Sequence, residues 1–382
     1  MPLLQAGNDD DGRRLDRILR KALPGVPLSA LHRLLRKGRI LVDGRPAGPG
    51  DRVSSGAVID IPGAAIAAGK ERRLPSPEGE TGAEGDDAFP PGTPSPSALL
   101  PAAGILAEGR SLLILNKPAG MTVHGPESLN TRVQSYLENT RSPSLSFRPG
   151  PLHRLDKPSS GIIVFSKNLA GARRFSALLR ERRLRKYYLA LAEGSVEGPE
   201  RWEDTLTGKD AGGFPAGRCA GGVFAGSAAG GPEITGRAAI TAVRPLARSG
   251  REENHTLLLA EIETGRTHQI RIQAALRGHP LAGDRKYGGG GRGFFLHAWA
   301  LDIPVEELAA LGLDNDEQGR NRNKTDGTGR YLRIIAPPPG SFRRRIRDLF
   351  GENMLRHIDK PSHIISFNDI MNQDVPGFFS QS

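Results

Sequence analysis

The 382-residue chain is long enough for two domains and a sizeable core. It carries 53 Lys+Arg against 42 Asp+Glu, a formal net charge of +11, which favours a polyanionic partner: nucleic acid first, an anionic membrane surface second. The one cysteine, Cys219, excludes a disulfide framework and a cysteine-based zinc site and fits a reducing compartment. No leader-like segment opens the chain, and no uncharged apolar run nears the ~20 residues of a membrane span, so a soluble, cytoplasmic protein is expected.

Residues 12–62 read as a small module. Leu15, Ile18, Leu19 and Leu23 follow helical spacing, and Pro24-Gly25 ends that helix. Ser29 is placed to cap a second helix with the apolar face Leu31, Leu34 and Leu35, which Gly38 stops. Arg39–Val42 reads as a strand, Asp43-Gly44 as a hairpin turn, and Ala57–Ile61 as another strand. Charge is concentrated here: from Arg13 to Arg39 there are nine Lys/Arg against one acid, Asp16, a local excess of 9 − 1 = +8. A solvated helix face is the ordinary reading of such a run. The size of this excess favours phosphate contact, with Arg33, Arg36, Lys37 and Arg39 as the candidates for binding a nucleic-acid backbone.

Residues 63–101 hold seven prolines among Gly, Ser and Glu and read as a flexible linker, which would leave the module free to search for its partner without a fixed angle to the main domain. Residues 102–350 read as the main domain and 351–382 as a tail without clear periodicity. The Gly/Ala-rich stretch 208–236 reads as a surface insertion between strands.

The main domain opens with a buried strand, Ser111–Leu115, running through Asn116-Lys117 into the turn Pro118-Ala119-Gly120. His153-Arg154-Leu155-Asp156-Lys157-Pro158-Ser159-Ser160-Gly161 then feeds the apolar strand Ile162–Phe165, which puts Asp156 on a loop braced by a strand. Taken locally, Asp156 before Lys-Pro is good turn chemistry. A triad of Ser160, His153 and Asp156 is conceivable but lacks a Gly-x-Ser-x-Gly elbow, and His153 has no ligand partners at metal spacing. A basic helix over 169–184 leads into the strand Arg185–Ala192, on which Tyr187 and Tyr188 must face opposite ways. Last come Thr264-Gly265-Arg266-Thr267-His268-Gln269-Ile270-Arg271-Ile272-Gln273, with Thr267 as a candidate cap, and Gly278–Gly288. Arg266 and Arg271 are either surface charges or, if buried, partners for a carboxylate.

The first module resembles the S4 RNA-binding domain. The blocks at 116–121, 153–165, 186–190, 264–273 and 278–288 together resemble the RluA family of pseudouridine synthases. The resemblance implies an α+β fold: a mixed, largely antiparallel central sheet with flanking helices, plus the small α/β S4-like module. It implies isomerisation of uridine to pseudouridine in RNA, with Asp156 matching the catalytic aspartate. Arg154 matches the arginine that fills the gap left by the flipped uridine, and Tyr188 the tyrosine packed on the uracil. Arg271 matches the arginine paired with the aspartate, and Ile272 the apolar side chain across the base. A flipped base needs such stacking surfaces, and rejoining the base through C5 without hydrolysis requires that water be excluded. Within the family, Gly25–Ser29 and Arg36–Arg39 are most like the type acting on large-subunit ribosomal RNA. The expectation is a monomer with ribosomal RNA as partner, no membrane, no metal and no cofactor. The alternatives are a transfer RNA synthase of the same family and a non-catalytic S4-type RNA-binding protein.

Overall fold

The computed structural model describes residues 3–63, 100, 104–138, 144–206, 236–250, 253–314, 324–325 and 329–359. The expected linker (but for Gly63 and Leu100), most of the 208–236 insertion and the tail beyond Asp359 lie outside the described residues. Those residues form two compact units. The first gathers described residues of Met1–Leu100, Arg132–Gly150 and Ser166–Ala172, and the second those of Pro101–Thr131, Pro151–Phe165 and Arg173 onward.

The first unit contains β1 (Leu3–Gln5), β2 (Arg13–Arg14), α1 (Leu15–Ala22), α2 (Leu28–Arg36), β3 (Leu41–Val42), β4 (Arg45–Pro46), β5 (Arg52–Val53) and β6 (Val58–Asp60). Its core is the stripe foreseen from spacing: Leu15, Ile18 and Leu19 of α1 and Leu31 and Leu35 of α2 pack on Ile40, Val53, Ile59 and Ile61. Asp43 and Gly44 both take positive φ, 50° and 75°, so β3 and β4 close on a tight hairpin of the primed type. Two features depart from expectation. Strand β1, in a segment to which no element was assigned, pairs with β6 and so joins the sheet β1-β6-β3-β4. Helix α2 starts at Leu28 with Pro27 as its N-cap and no side-chain cap, not with Ser29. The proline ring already holds φ near helical values, and the Pro27 carbonyl accepts from Ala30 and Leu31.

Asp10 is fully buried in this unit and serves as its polar anchor. Its carboxylate accepts from the Gly7, Leu145 and Ser146 amides and from the Ser144 and Ser146 hydroxyls. Burial alone would raise its pKa. The donors from Ser146, Leu145, Gly7 and Ser144 outweigh burial and hold it below the usual carboxylate value. Asp9 accepts from the Leu169 amide, and Leu145 packs on the module's apolar core. The module is therefore fastened to residues 144–146 and 169 of the same unit.

The second unit is built on one large sheet. Its elements are β7 (Ile105–Glu108), β8 (Leu112–Lys117), α3 (Leu129–Leu137, which begins here), β9 (Gly150–Pro151, at the boundary), β10 (Ser160–Ser166), α4 (Leu169–Arg180), β11 (Arg185–Glu193), β12 (Glu200–Leu206), β13 (Arg237–Arg248), β14 (His255–Ile262), α5 (Gln269–Leu276), β15 (Leu296–Pro304), β16 (Lys324–Thr325), β17 (Tyr331–Ile335) and α6 (Gly340–Asp359, broken at Gly351). Strands run in the order β12-β13-β14-β11-β15-β10-β8-β7, with β17 also on β15. Pairing is antiparallel across β12, β13, β14, β11 and β15, and parallel between β10 and β15. The α+β architecture is as expected. The segment 207–236 joins the adjacent strands β12 and β13.

Alternation along β11 sorts the core. Tyr188, Ala190 and Ala192 join one apolar cluster, with Phe175 and Leu178 of α4 and Ile270 and Ala274 of α5. Tyr187, Leu189 and Leu191 join another, which Phe342, Ile346 and Leu355 of α6 cover. Both faces of the sheet are thus buried under helices, which is why β10 and β15 are buried along their whole length. At Gly161 (φ 109°) a Cβ would lie 2.2 Å from the Ala298 carbonyl oxygen, so the close β10–β15 approach requires glycine there.

Candidate active site

The loop before β10 is braced from behind. The Leu152 amide donates to the Val164 carbonyl, and the Val164 amide donates to His153 Nε2 at 3.1 Å. Burial, with Lys186 nearby, lowers the His153 pKa to about 4, so the ring is a neutral acceptor that ties the loop to the strand. Leu155 packs on the main cluster. Two further backbone bonds hold the loop, a turn from the Ser159 amide to the Asp156 carbonyl and a bond from the Gly120 amide to the Lys157 carbonyl. The turn reading of Asp156 thus falls on its backbone carbonyl, and its carboxylate takes no part in that bond.

That carboxylate is one-quarter exposed. Arg271 Nη1 donates to its Oδ2 at 3.1 Å, and His268 Nε2 stands 3.5 Å from its Oδ1. The other side of the Arg271 guanidinium is taken by Asp284, with Nε to Oδ2 and Nη2 to Oδ1 both at 2.7 Å. Burial disfavours the Arg271 charge. Asp284, and after it Asp156, outweigh burial and hold its pKa above the ordinary arginine value. Tyr188 is 8 % exposed, and its pKa is raised by burial and then by the Asp156 charge. Lys117 is fully buried, its ammonium donating to the carbonyls of Pro118, Met121 and Lys157. Burial lowers its pKa to about 8, while the charge on Asp156 acts in the opposite direction.

Helix α5 aims Arg271. It is buried on nearly all sides, so its rotation is set by polar contacts as much as by an apolar stripe. Gln269 donates to the Ile240 carbonyl and Thr241 hydroxyl and accepts from the Thr264 hydroxyl and Arg266 amide. Gln273, one turn on, accepts from the Thr241 hydroxyl and donates to the Trp202 and Ala239 carbonyls and to Asp204. These bonds key the helix to β12 and β13.

Several expectations need correction. Thr267 does not cap α5: the N-cap is His268, in the left-handed region at φ 55°, ψ 24°. Ile272 is not brought beside Tyr188. Successive helical residues turn by about 100°, so Ile270 and Ile272 fall on opposite flanks of Arg271. Ile270 joins the Tyr188 cluster, while Ile272 packs with Leu206, Ala239, Ala275 and Tyr287. The Ser160–His153–Asp156 triad does not form. The Ser160 hydroxyl lies 2.8 Å from His297 Nδ1, and His297 Nε2 lies 2.9 Å from the Ala336 carbonyl, so that nitrogen donates and Nδ1 accepts from Ser160. Arg154 is exposed, as are Arg33, Arg36, Lys37 and Arg39 of the first unit. Arg266 donates to the Ala238 carbonyl. Sequence reasoning passed over Lys117, His268, Asp284 and Tyr287. The signal available was a charged or aromatic residue set inside a Gly- or Pro-punctuated block. Among the described residues no group of three or more His, Cys, Asp or Glu is placed to hold a metal ion, and no helix is long and apolar enough to cross a membrane.

A carboxylate reachable from outside, held by a buried arginine and bordered by a buried tyrosine, sits where a family model for RNA pseudouridylate synthases matches, over residues 111–276. The S4 domain model matches residues 13–59. The chain belongs to the RNA pseudouridylate synthase family: it is an RNA-modifying isomerase with an S4 domain. It is 32 % identical over 351 residues to ribosomal large subunit pseudouridine synthase C of Salmonella typhi, covering 88 % of this chain and 92 % of that one. With the synthase C of Escherichia coli (strain K12) it is 30 % identical over 356 residues, or 89 % and 94 %. With ribosomal large subunit pseudouridine synthase D of Neisseria meningitidis serogroup A / serotype 4A it is 32 % identical over 280 residues, or 72 % and 64 %. Among solved structures, human RNA pseudouridylate synthase domain containing 4 aligns at TM-score 0.48 and 19 % identity, over 68 % of this chain and 95 % of that one.

Proposed function

We propose that this protein converts uridine to pseudouridine in large-subunit ribosomal RNA, as a cytoplasmic monomer without metal or cofactor, with Asp156 as the catalytic carboxylate. The observation that carries the reading is the Arg271–Asp156 contact: a buried guanidinium, itself gripped by Asp284, holds Oδ2 of a carboxylate that stays one-quarter exposed. The reaction breaks the N1–C1′ bond and joins C1′ to C5. The C5 hydrogen is lost and N1 gains one, with no net consumption of water. A carboxylate serves this chemistry by attacking base or sugar, or by taking a sugar proton. Tyr188, buried and beside Asp156, supplies a flat face for the flipped uracil. The exposed Arg154, two residues from Asp156, is suited to fill the gap the uridine leaves. Arg33, Arg36, Lys37 and Arg39 supply phosphate contacts on the S4 module. The relatives named above support the ribosomal target.

The test is Asp156→Ala, assayed by release of the C5 proton from tritiated ribosomal RNA and by RNA binding. Loss of release with binding retained is the expected result; activity in the variant refutes the assignment. Mapping pseudouridines in ribosomal and transfer RNA, with and without the protein, decides the target.

A further inference from the structure

His268 stands beside Asp156 in a backbone conformation that costs an L-residue energy, since left-handed φ brings its Cβ close to the following carbonyl. The turn around it holds it there. The Gln269 side chain takes the Arg266 amide and Thr264 hydroxyl, the Gln269 amide bonds the Arg266 carbonyl, and the Ile272 amide bonds the His268 carbonyl. The ring then meets two groups. Its Nδ1 lies 2.7 Å from the Tyr287 hydroxyl, with the rings edge to face, and its Nε2 lies 3.5 Å from Asp156 Oδ1.

The chemistry of the partners sets the protons. A carboxylate only accepts, so the nitrogen facing Asp156 is the one that carries hydrogen. Nδ1 is then the acceptor and Tyr287 donates to it. The charged and titratable groups around the ring are Asp156, Arg271, Lys286 and Asp284, besides the Tyr287 hydroxyl. Burial, with Arg271 and Lys286, outweighs the two carboxylates and holds the imidazole pKa below its ordinary value, which favours the neutral ring. A neutral donor orients Oδ1 without pairing with it as a second cation would.

We propose that His268 is a positioning residue that aims the reacting oxygen of Asp156, in a tautomer set by Tyr287. The inference rests on Asp156 being the catalytic carboxylate. It explains why a strained residue occupies the N-cap of α5 where a glycine would start the helix without strain.

Two substitutions separate this role from a backbone role. His268→Gln carries an amide nitrogen near the former Nε2. His268→Asn carries one only near the former Nδ1, but suits left-handed backbone better. If the side chain aims Oδ1, the Gln variant keeps kcat within about fivefold of wild type. The Asn variant then falls more than tenfold, with KM within about threefold. An Asn variant equal to or better than Gln overturns the proposal. Should the Gln variant melt well below wild type, Tyr287→Phe decides: kcat lowered severalfold at unchanged KM supports the proposal, and unchanged kcat refutes it. Asp156→Asn is measured alongside. Activity in that variant sinks the catalytic reading itself. An inactive Asp156→Asn beside a fully active His268→Asn sinks only the inference about His268.

Discussion

Two buried arginine–aspartate pairs in the second unit have nearly the same geometry and different consequences. Arg333 donates to Asp302 through Nε at 2.7 Å and Nη2 at 2.6 Å; Arg271 donates to Asp284 through the same two nitrogens at 2.7 Å each. All four side chains are at most 7 % exposed. Arg333 and Asp302 face each other directly across the β15–β17 ladder, so their pairing fixes strand register, with the guanidinium 5.2 Å above the Tyr187 ring. Arg271 comes from a helix and Asp284 from a loop, and the third nitrogen of Arg271 is spent on the reachable carboxylate of Asp156. A bidentate pair is a rigid unit. Closed inside a sheet it aligns two strands, and set beside a partly exposed carboxylate it becomes a mount that holds that group.

The comparison can be broken at each end. The largest effect is expected at the group the mount holds: Asp156→Ala should lower kcat by roughly 10^3-fold or more, the scale for removing a group that acts in the chemical step, as read by single-turnover proton release. Next come the matched changes Asp302→Asn and Asp284→Asn. The first leaves Arg333 without its bidentate charge partner and should cost about 3–5 kcal/mol of stability, measured by urea unfolding, with kcat of the folded fraction unchanged. The second should cost less stability, because Arg271 keeps Asp156, but should lower kcat by up to about 10^2-fold through misplacement. Equal kcat losses in the two variants would dissolve the distinction.

A smaller effect belongs to the register side. Glu261, directly opposite Tyr187 on β14, is pushed up to about 8 by burial first, against the pull of Arg185 and with the addition of Asp302 and Glu263. Its folded pKa lies above the unfolded value of 4.5. Its contribution is therefore fully present below about 4.5 and is lost as pH rises toward 8. Glu261→Gln should flatten that slope and stabilise the protein at pH 7 by about 1–3 kcal/mol, as melting temperature against pH will show. No slope difference between variant and wild type would remove Glu261 from the account. The smallest effect is expected far from both pairs: Arg36→Ala with Lys37→Ala should leave kcat intact, weaken RNA binding and reduce the salt slope of log K by about two.

Local sequence determined whatever depends on a few neighbouring residues. The stripe Leu15–Ile18–Leu19, the Asp43-Gly44 hairpin and the opposite facing of Tyr187 and Tyr188 follow from helical and strand periods that no distant contact alters. The order of the blocks carrying Asp156, Tyr188 and Arg271 was enough for the family, and the sequence of the first module for the S4 domain. Tertiary structure decided everything that depends on which surfaces meet. Asp156 and Arg271 are 115 residues apart in sequence, and Ser160 found His297, 137 residues away, where local reading offered His153. The rotation of α5, and with it the parting of Ile270 from Ile272, was set by Gln269 and Gln273 against β12 and β13. The anchorage of the S4 module through Asp10 was set by amides and hydroxyls more than 130 residues downstream. Periodicity says which side of an element is apolar. Which partner a buried polar group finds there follows from the need to satisfy it once water is gone, and only the assembled fold brings the donors and acceptors that do so.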